Sequence, residues 1–224
     1  MYNQIINTMK KFAVILSGNG VYDGAEIHEA TLSMYAIKKQ GAEYDVFAPD
    51  MEQHHVVNHL NGEEMKEKRN VLVEAARIAR GNIKPLDQFD PADYDVLLMP
   101  GGFGAAKNLT TFAFDGPDCK VQPDVEKAIN GMHKAGKPIA ALCISPAVVA
   151  RVLGKGKLTI GQDEGTAGAI ETMGGVHETT NHGEVIVDEQ NKLFTTPCYM
   201  LDADIVQIGD GAENIVRAVL KFLK

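Results

Sequence analysis

The chain has 224 residues, which fits one large domain or two small ones, and its 45% hydrophobic and 23% charged residues are ordinary for a globular protein. Its 22 Lys and Arg against 30 Asp and Glu give a formal net charge of -8 with no basic tract, which argues against nucleic-acid binding. Three Cys exclude a disulfide scaffold, and the sequence has neither a membrane-spanning apolar run nor a secretory signal, so we expect a cytoplasmic protein with at least one free thiol.

Apolar segments with strand character alternate with amphipathic helices along the chain. The continuous apolar run 12–16 is typical of a strand buried on both faces, as in a parallel sheet. Further strands are predicted at 44–49, 95–100, 138–142, 157–160, 184–187 and 192–196, the last two as a hairpin. Helices are predicted at 25–40, 70–80, 123–135, 146–153, 165–173 and 203–223, the last with a potential break near 209–211. The alternation predicts one α/β domain with a largely parallel sheet.

Cys143 has the sequence surroundings of a nucleophile on a sharp turn at the carboxyl end of a strand, where sites in parallel sheets lie. It stands between an apolar strand and a helix that begins near Pro146, and the small residues Ala141 and Ser145 lie two positions away on either side. This matches a strand–nucleophile–helix elbow, in which the positive end of the helix favours a thiolate. On the pattern alone, a buried core cysteine is an equally good interpretation.

Two other segments also follow predicted strand ends. Gly101 and Gly102, in the run 100–104, can supply backbone N–H donors for an oxyanion, although a tight turn that requires glycine is the simpler interpretation. Glu26 and Glu29 open the first helix three positions apart, so they share a face. One of them could act as a general acid or base, and carboxylates at that position also simply offset the helix dipole.

The remaining candidates favour structural interpretations. His54, His55 and His59 share one segment but lack an accompanying set of metal ligands, so we predict no metal site. The sequence also lacks a phosphate-loop or dinucleotide motif, and we predict no cofactor. Cys119 is placed in a loop, and Cys198 lies near a strand end from which it could approach the site.

From about residue 11 to the end, the chain resembles the ThiJ/PfpI superfamily, within the class I glutamine amidotransferase-like folds. It is most similar there to the isoprenoid-biosynthesis, or enhancing-lycopene-biosynthesis, branch, whose members are described as glyoxalases. The matching segments cover nearly the whole chain in order: 16–24, 26–30, 47–50, 58–60, 69–72, 100–109 and 195–197.

The resemblance implies a flavodoxin-like three-layer sandwich over 11–224, an N-terminal extension over 1–10, and a homodimer. It implies that Cys143 is the elbow cysteine and that Glu29, rather than Glu26, meets it. Gly101, Gly102 and Ile144 would surround the developing oxyanion. Glu26, His28 and Cys198 would lie next to these residues, without touching the substrate. Protease- and amidase-like members carry His directly after the cysteine, whereas this chain carries Ile144.

The leading functional hypothesis is a cofactor-independent glyoxalase that converts methylglyoxal or glyoxal to a 2-hydroxy acid. Cys143 would form a hemithioacetal with the 2-oxoaldehyde, and Glu29 would move the proton between the two adjacent carbons. The first alternative is a redox-sensing or interaction protein in which Cys143 is oxidised. The second is an amidase- or amidotransferase-like hydrolase, which would need a His near the Cys143 sulfur.

Overall fold

The computed structural model describes residues 9–224, so most of the predicted 1–10 extension lies outside the described residues. The strands are β1 Lys11–Ile15, β2 Glu43–Ala48, β3 Lys84–Pro85, β4 Val96–Met99, β5 Ile139–Leu142, β6 Lys157–Leu158, β7 Val176–His177, β8 Ile186–Asp188 and β9 Leu193–Thr196. The helices are α1 Ile27–Lys39, α2 Val71–Ile78, α3 Phe112–Asp115, α4 Pro123–Lys134, α5 Ser145–Leu153, α6 Glu164–Thr172 and α7 Ile205–Phe222.

Within residues 9–224, seven strands form one sheet in the order β3-β2-β1-β4-β5-β9-β8. Its pairs are parallel except β8 with β9, which form the predicted antiparallel hairpin. The chain leaves β1 toward one edge and returns at β4 on the other side, so a switch point lies between these strands. Such a switch point opens a crevice at the carboxyl edge of the sheet.

Helices cover both faces of the sheet. On one face, alternate strand residues such as Val14 and Leu98 pack with α1, α2 and α7. On the other face, the intervening residues such as Ile15 and Leu97 pack with α4, α5 and α6. The strands therefore bury both faces, as their continuous apolar runs predict. The predicted α/β three-layer sandwich is confirmed.

Several local features differ from the sequence-based prediction. Strand β6 pairs with β7 in a separate two-stranded sheet instead of joining the main one. A π-helical turn at Ala105–Leu109 follows the glycine-rich run. Helix α7 continues unbroken through Gly209 and Gly211. Gly211 is buried, and a side chain there would crowd the Cys198 sulfur, so close packing rather than a helix break explains this glycine. Of the helices in residues 9–224, none has both the length and the apolar content needed to cross a bilayer.

Candidate active site

Four connections converge at the carboxyl edge of the sheet. They follow β1, β4, β5 and β9, and they carry Glu29, Gly101, Cys143 and Tyr199 respectively. Because neighbouring parallel strands end at the same edge, residues distant in sequence meet here. Contacts join all four connections, so they form one site.

Cys143 occupies the strained turn between β5 and α5. Its backbone φ is +59°, a left-handed conformation that a residue with a side chain adopts only when its surroundings hold it. Its N–H donates to the Thr196 carbonyl at 3.0 Å, and the Ser145 hydroxyl donates to the Pro100 carbonyl at 2.7 Å, which fixes both sides of the turn. The side chain is only 6% exposed. This is the elbow geometry that the small flanking residues predict.

Glu29 lies in the first turn of α1 and is fully buried. Its Oε2 accepts the Gly101 N–H at 2.8 Å, and its Oε1 accepts the Tyr199 N–H at 3.2 Å. Burial, reinforced by the negative charge of Glu26, raises the pKa of the Glu29 carboxyl to about 7, against the opposing effect of the two N–H groups and Cys143. Near neutral pH this carboxyl can therefore both accept and donate a proton.

The Cys143 sulfur faces Glu29 and the N–H groups of Gly102 and Ile144. Burial and the negative charge of Glu29 raise the pKa of the Cys143 thiol well above its ordinary value, and the two N–H groups only partly offset this. Burial of the thiol therefore opposes the thiolate that the helix end would favour.

The backbone N–H groups of Gly101 and Gly102 have different partners. The Gly101 N–H is donated to Glu29, so it is not left free for a substrate oxygen. A Cβ at Gly101 would lie 2.4 Å from the Cys143 Cβ and 2.8 Å from Glu29 Oε2, so only glycine admits this approach. Gly102 has a φ of +95°, and its N–H faces the Cys143 sulfur.

Three further polar residues, Glu26, His28 and Tyr199, lie around Cys143 and Glu29. Glu26 caps α1, its Oε2 accepting the Glu29 N–H at 2.7 Å. The His28 Nδ1 pairs with the Tyr199 hydroxyl at 2.8 Å and lies 4.0 Å from Glu26 Oε1. Sequence reasoning did not identify Tyr199, which binds Glu29 through its backbone. The one available signal was its position, three residues after the end of β9 at the carboxyl edge of the sheet. The residue after the elbow cysteine is Ile144, and its backbone N–H faces the Cys143 sulfur where the amidase-like members carry a His.

The other two cysteines lie on opposite faces of the sheet. Cys119 is buried in a loop in the core that packs against α4 and α5, as its predicted loop position allows. Cys198 is buried in the same core as Cys143 and has a φ of +42°. Cys198 thus belongs to the surroundings of the site and Cys119 does not.

The three clustered histidines contact aromatic neighbours. The His54 ring lies 4.3 Å from the Phe114 ring, and the His59 ring lies 4.8 Å from the Tyr22 ring, measured between centroids. Across residues 9–224, no His, Cys, Asp and Glu side chains are grouped in threes so as to hold a metal ion.

Comparison with known proteins agrees with this architecture. The sequence model of the DJ-1/PfpI family matches residues 14–196. The chain belongs to the DJ-1/PfpI family. The resemblance inferred from the sequence motifs is thereby confirmed.

Three relatives of this DJ-1/PfpI protein are informative. A human glutamine amidotransferase-like class 1 domain-containing protein 3 is 45% identical in an alignment of 222 residues that covers 95% of this chain and 83% of the relative. The crystal structure of an Ehrlichia chaffeensis isoprenoid biosynthesis protein with an amidotransferase-like domain has a TM-score of 0.91 and 38% identity, covering 96% of this chain and 100% of its own. Glyoxalase 3 of Candida albicans is 28% identical in an alignment of 135 residues that covers 58% of this chain and 52% of the relative.

The expected cytoplasmic setting was wrong. The human relative and the related rat and zebrafish ES1 proteins are all named as mitochondrial. The expectation rested on three unpaired thiols, and free thiols indicate a reducing compartment without distinguishing the cytoplasm from any other.

Proposed function

We propose that this DJ-1/PfpI protein is a thiol-dependent glyoxalase that converts small 2-oxoaldehydes to 2-hydroxy acids. The observation that carries the proposal is a fully buried carboxyl, Glu29, whose pKa is raised to about 7 and which faces the elbow thiol of Cys143. An isomerisation between adjacent carbons needs a nucleophile and one group that takes and returns protons near neutral pH. These two residues supply both.

In the first step the Glu29 carboxylate takes the Cys143 thiol proton as the sulfur bonds to the aldehyde carbon. The carbonyl oxygen then takes that proton from Glu29, which leaves a hemithioacetal and restores the carboxylate. While the oxygen is negative, the N–H groups of Gly102 and Ile144 are placed to stabilise it, since they already face the sulfur.

In the second step Glu29 removes the hydrogen of the sulfur-bearing carbon as a proton and delivers it to the neighbouring carbonyl carbon. The proton of the hemithioacetal hydroxyl passes to the neighbouring carbonyl oxygen, so that this carbon carries the hydroxyl and the sulfur-bearing carbon becomes a carbonyl. The product is a thioester on Cys143. Water attacks the thioester, the carbon–sulfur bond breaks, and the 2-hydroxy acid leaves as the thiol regains a proton. Aldehyde and water thus give the acid with no net oxidation and no added cofactor.

The burial of both Cys143 and Glu29 favours a small substrate. Cys143 is 6% exposed and Glu29 is not exposed, so a reactant must reach the sulfur through a narrow opening. Glyoxal and methylglyoxal meet this condition, whereas a peptide or a glutamine side chain would require the loops to separate. Ile144 stands directly after the cysteine, where protease- and amidase-like members carry His, which further disfavours hydrolysis of unactivated amides.

The proposal is tested with purified wild type, Cys143→Ala and Glu29→Gln against a panel of 2-oxoaldehydes. We expect wild type to release 2-hydroxy acid and both variants to lose turnover while retaining the far-UV circular dichroism of the fold. Cys119→Ala is the matched control, because Cys119 lies in the core on the other face of the sheet. Full turnover by Cys143→Ala or Glu29→Gln would overturn the mechanism.

A second candidate function is redox sensing through Cys143. The N–H groups of Gly102 and Ile144 that face the sulfur can also bind oxygen atoms added to it, and a protonated Glu29 can donate to them. Mild peroxide followed by mass spectrometry separates the two functions. Selective oxidation of Cys143 together with negligible turnover on the whole aldehyde panel would favour the sensor.

A further inference from the structure

The structure places a second buried thiol beside the reactive one. Strands β5 and β9 pair in parallel through Leu142 and Thr196, and the Cys143 N–H donates to the Thr196 carbonyl at 3.0 Å. The ladder therefore continues one residue past β5, and Cys198 follows only two residues after Thr196. The register puts Pro197 across from Cys143, so Cys198 is one residue further along a chain segment whose backbone lies about 4.8 Å away. Cys143 is close enough to act on the Cys198 thiol electrostatically, and disulfides join Cα atoms about 4.4–6.8 Å apart.

The turn after β9 keeps Cys198 near the strand end. Cys198 has a φ of +42° and begins the short 3-10 helix Cys198–Met200, which folds the chain back. The next residue, Tyr199, donates its N–H to Glu29 Oε1 at 3.2 Å. Glu29 therefore contacts the segment that carries Cys198 with one oxygen, while the same carboxyl faces the Cys143 sulfur. Both cysteines belong to one apolar core.

We infer that Cys198 is a resolving thiol that converts an oxidised Cys143 into an intramolecular Cys143–Cys198 disulfide. The function proposed for aldehydes does not use Cys198, and this inference rests only on the oxidation of Cys143. A disulfide would protect Cys143 from irreversible oxidation to the sulfinic and sulfonic states.

The chemistry balances with a hydroperoxide as the oxidant. The Cys143 sulfur passes its proton to Glu29 and attacks one peroxide oxygen, so that a sulfur–oxygen bond forms and the oxygen–oxygen bond breaks. The departing hydroxide or alkoxide takes that proton from Glu29 and leaves as water or an alcohol, which restores the Glu29 carboxylate. The Cys198 sulfur then attacks the Cys143 sulfur, its own proton passing to the Glu29 carboxylate. The sulfur–sulfur bond forms, the sulfur–oxygen bond breaks, and the departing hydroxide takes the proton to become water.

One side-chain rotation is needed. The Cys198 sulfur now points toward α7, where it lies 3.3 Å from the position that a Cβ at Gly211 would occupy. A disulfide therefore requires the Cys198 side chain to rotate away from α7 toward β5, inside the apolar core that holds both cysteines. Burial raises the pKa of the Cys198 thiol well above its ordinary value, so its attack requires a nearby proton acceptor. Glu29 is that acceptor.

The inference is tested on the full chain with hydrogen peroxide, alkylation under denaturing conditions, and peptide mapping without reductant. We expect a dithiothreitol-reversible cross-link between the Cys143 and Cys198 peptides in monomeric protein, with Cys119 alkylated. Cys198→Ala should lose the cross-link and accumulate Cys143 carrying two added oxygens, whereas Cys119→Ala should keep the cross-link. Cys198→Ser, which preserves side-chain size, repeats the Cys198→Ala result if loss of the thiol is the cause.

Two results would overturn it. One is sulfinic acid on Cys143 of wild type, formed as fast as in Cys198→Ala, with Cys198 still a free thiol. The other is a cross-link only between two chains. Either result leaves aldehyde turnover by Cys143 untouched, so this inference can fail while the proposed glyoxalase function stands. Loss of turnover in Cys143→Ala, in turn, says nothing about the disulfide.

Discussion

The Glu29 carboxyl and the Gly101 backbone are in direct contact: Glu29 Oε2 accepts the Gly101 N–H at 2.8 Å. This hydrogen bond connects the first turn of α1 to the loop that follows β4, across the switch point of the sheet. It also aims the carboxyl at the elbow cysteine. The contact depends on the missing side chain at Gly101, because a Cβ there would lie 2.7 Å from the Cys143 sulfur and 2.8 Å from Glu29 Oε2.

Gly101→Ala should therefore disable the site. The added methyl group must displace Cys143 or Glu29, and a misplacement of about 1 Å can lower a rate by about 10²-fold. We expect kcat/KM for methylglyoxal to fall by about that factor. Steady-state kinetics measures the loss, and peroxide labelling of Cys143 reports independently whether the sulfur has moved.

Gly168→Ala is the matched control for the glycine substitution. Gly168 is exposed in the middle of α6, and nothing lies within 4 Å of a Cβ built there. Alanine in a helix is more stable than glycine by about 0.5–1 kcal/mol, so this variant should unfold at a slightly higher temperature with unchanged kinetics. Equal activity of Gly101→Ala and Gly168→Ala would contradict the role given to Gly101.

The pH dependence of turnover should follow Glu29. Its pKa is raised to about 7, and the carboxylate form is the one that accepts the Cys143 proton. Activity should therefore be low when Glu29 is protonated and should rise through pH about 7. A profile of kcat/KM against pH measures the midpoint. A flat profile between about pH 6 and pH 8 would exclude Glu29 as the group that limits the rate.

Substitutions at Glu26 separate its charge from its hydrogen bond. Glu26→Gln keeps an oxygen that can accept the Glu29 N–H but removes the negative charge that raises the pKa of Glu29. The midpoint of the pH profile should therefore move to lower pH, with little loss of stability. Glu26→Ala loses the cap of α1 as well and should cost about 1 kcal/mol of unfolding free energy. An unmoved midpoint in Glu26→Gln would show that burial alone sets the Glu29 pKa.

Much of this architecture could be predicted from local patterns. The apolar runs of β1, β4 and β5 are buried on both faces, and the small residues around Cys143 indicate the turn. The alternation of strands and helices then places Glu29 and Cys143 at one edge of the sheet. Sequence order alone does not show how closely they meet.

What could not be predicted depends on tertiary contacts. Tyr199 acts through its backbone N–H, a group that every residue except proline carries, so its side chain gives no signal. The raised pKa of the Cys143 thiol reflects burial, which opposes the helix-end effect that the sequence suggested. Strand β6 has the composition of a sheet strand, and only the fold shows that it pairs with β7.

Buried Glu29 should also make stability depend on pH. Its pKa is raised from 4.5 to about 7, so the folded state retains a proton that the unfolded state has lost over that interval. The contribution of the neutral carboxyl is complete below pH about 4.5 and is lost as the pH rises through about 7. At about 1.4 kcal/mol per pH unit, the loss is roughly 3 kcal/mol.

Urea unfolding of wild type and Glu29→Gln at about pH 5 and pH 8 isolates this effect, because other titrating groups contribute to both proteins. Wild type should lose more unfolding free energy between the two pH values than Glu29→Gln, since the amide does not ionise. Glu189→Gln, at an exposed hairpin turn, should behave as wild type because its carboxyl is solvated in both states. If Glu29→Gln loses as much stability as wild type over this range, Glu29 is not the buried group that titrates there.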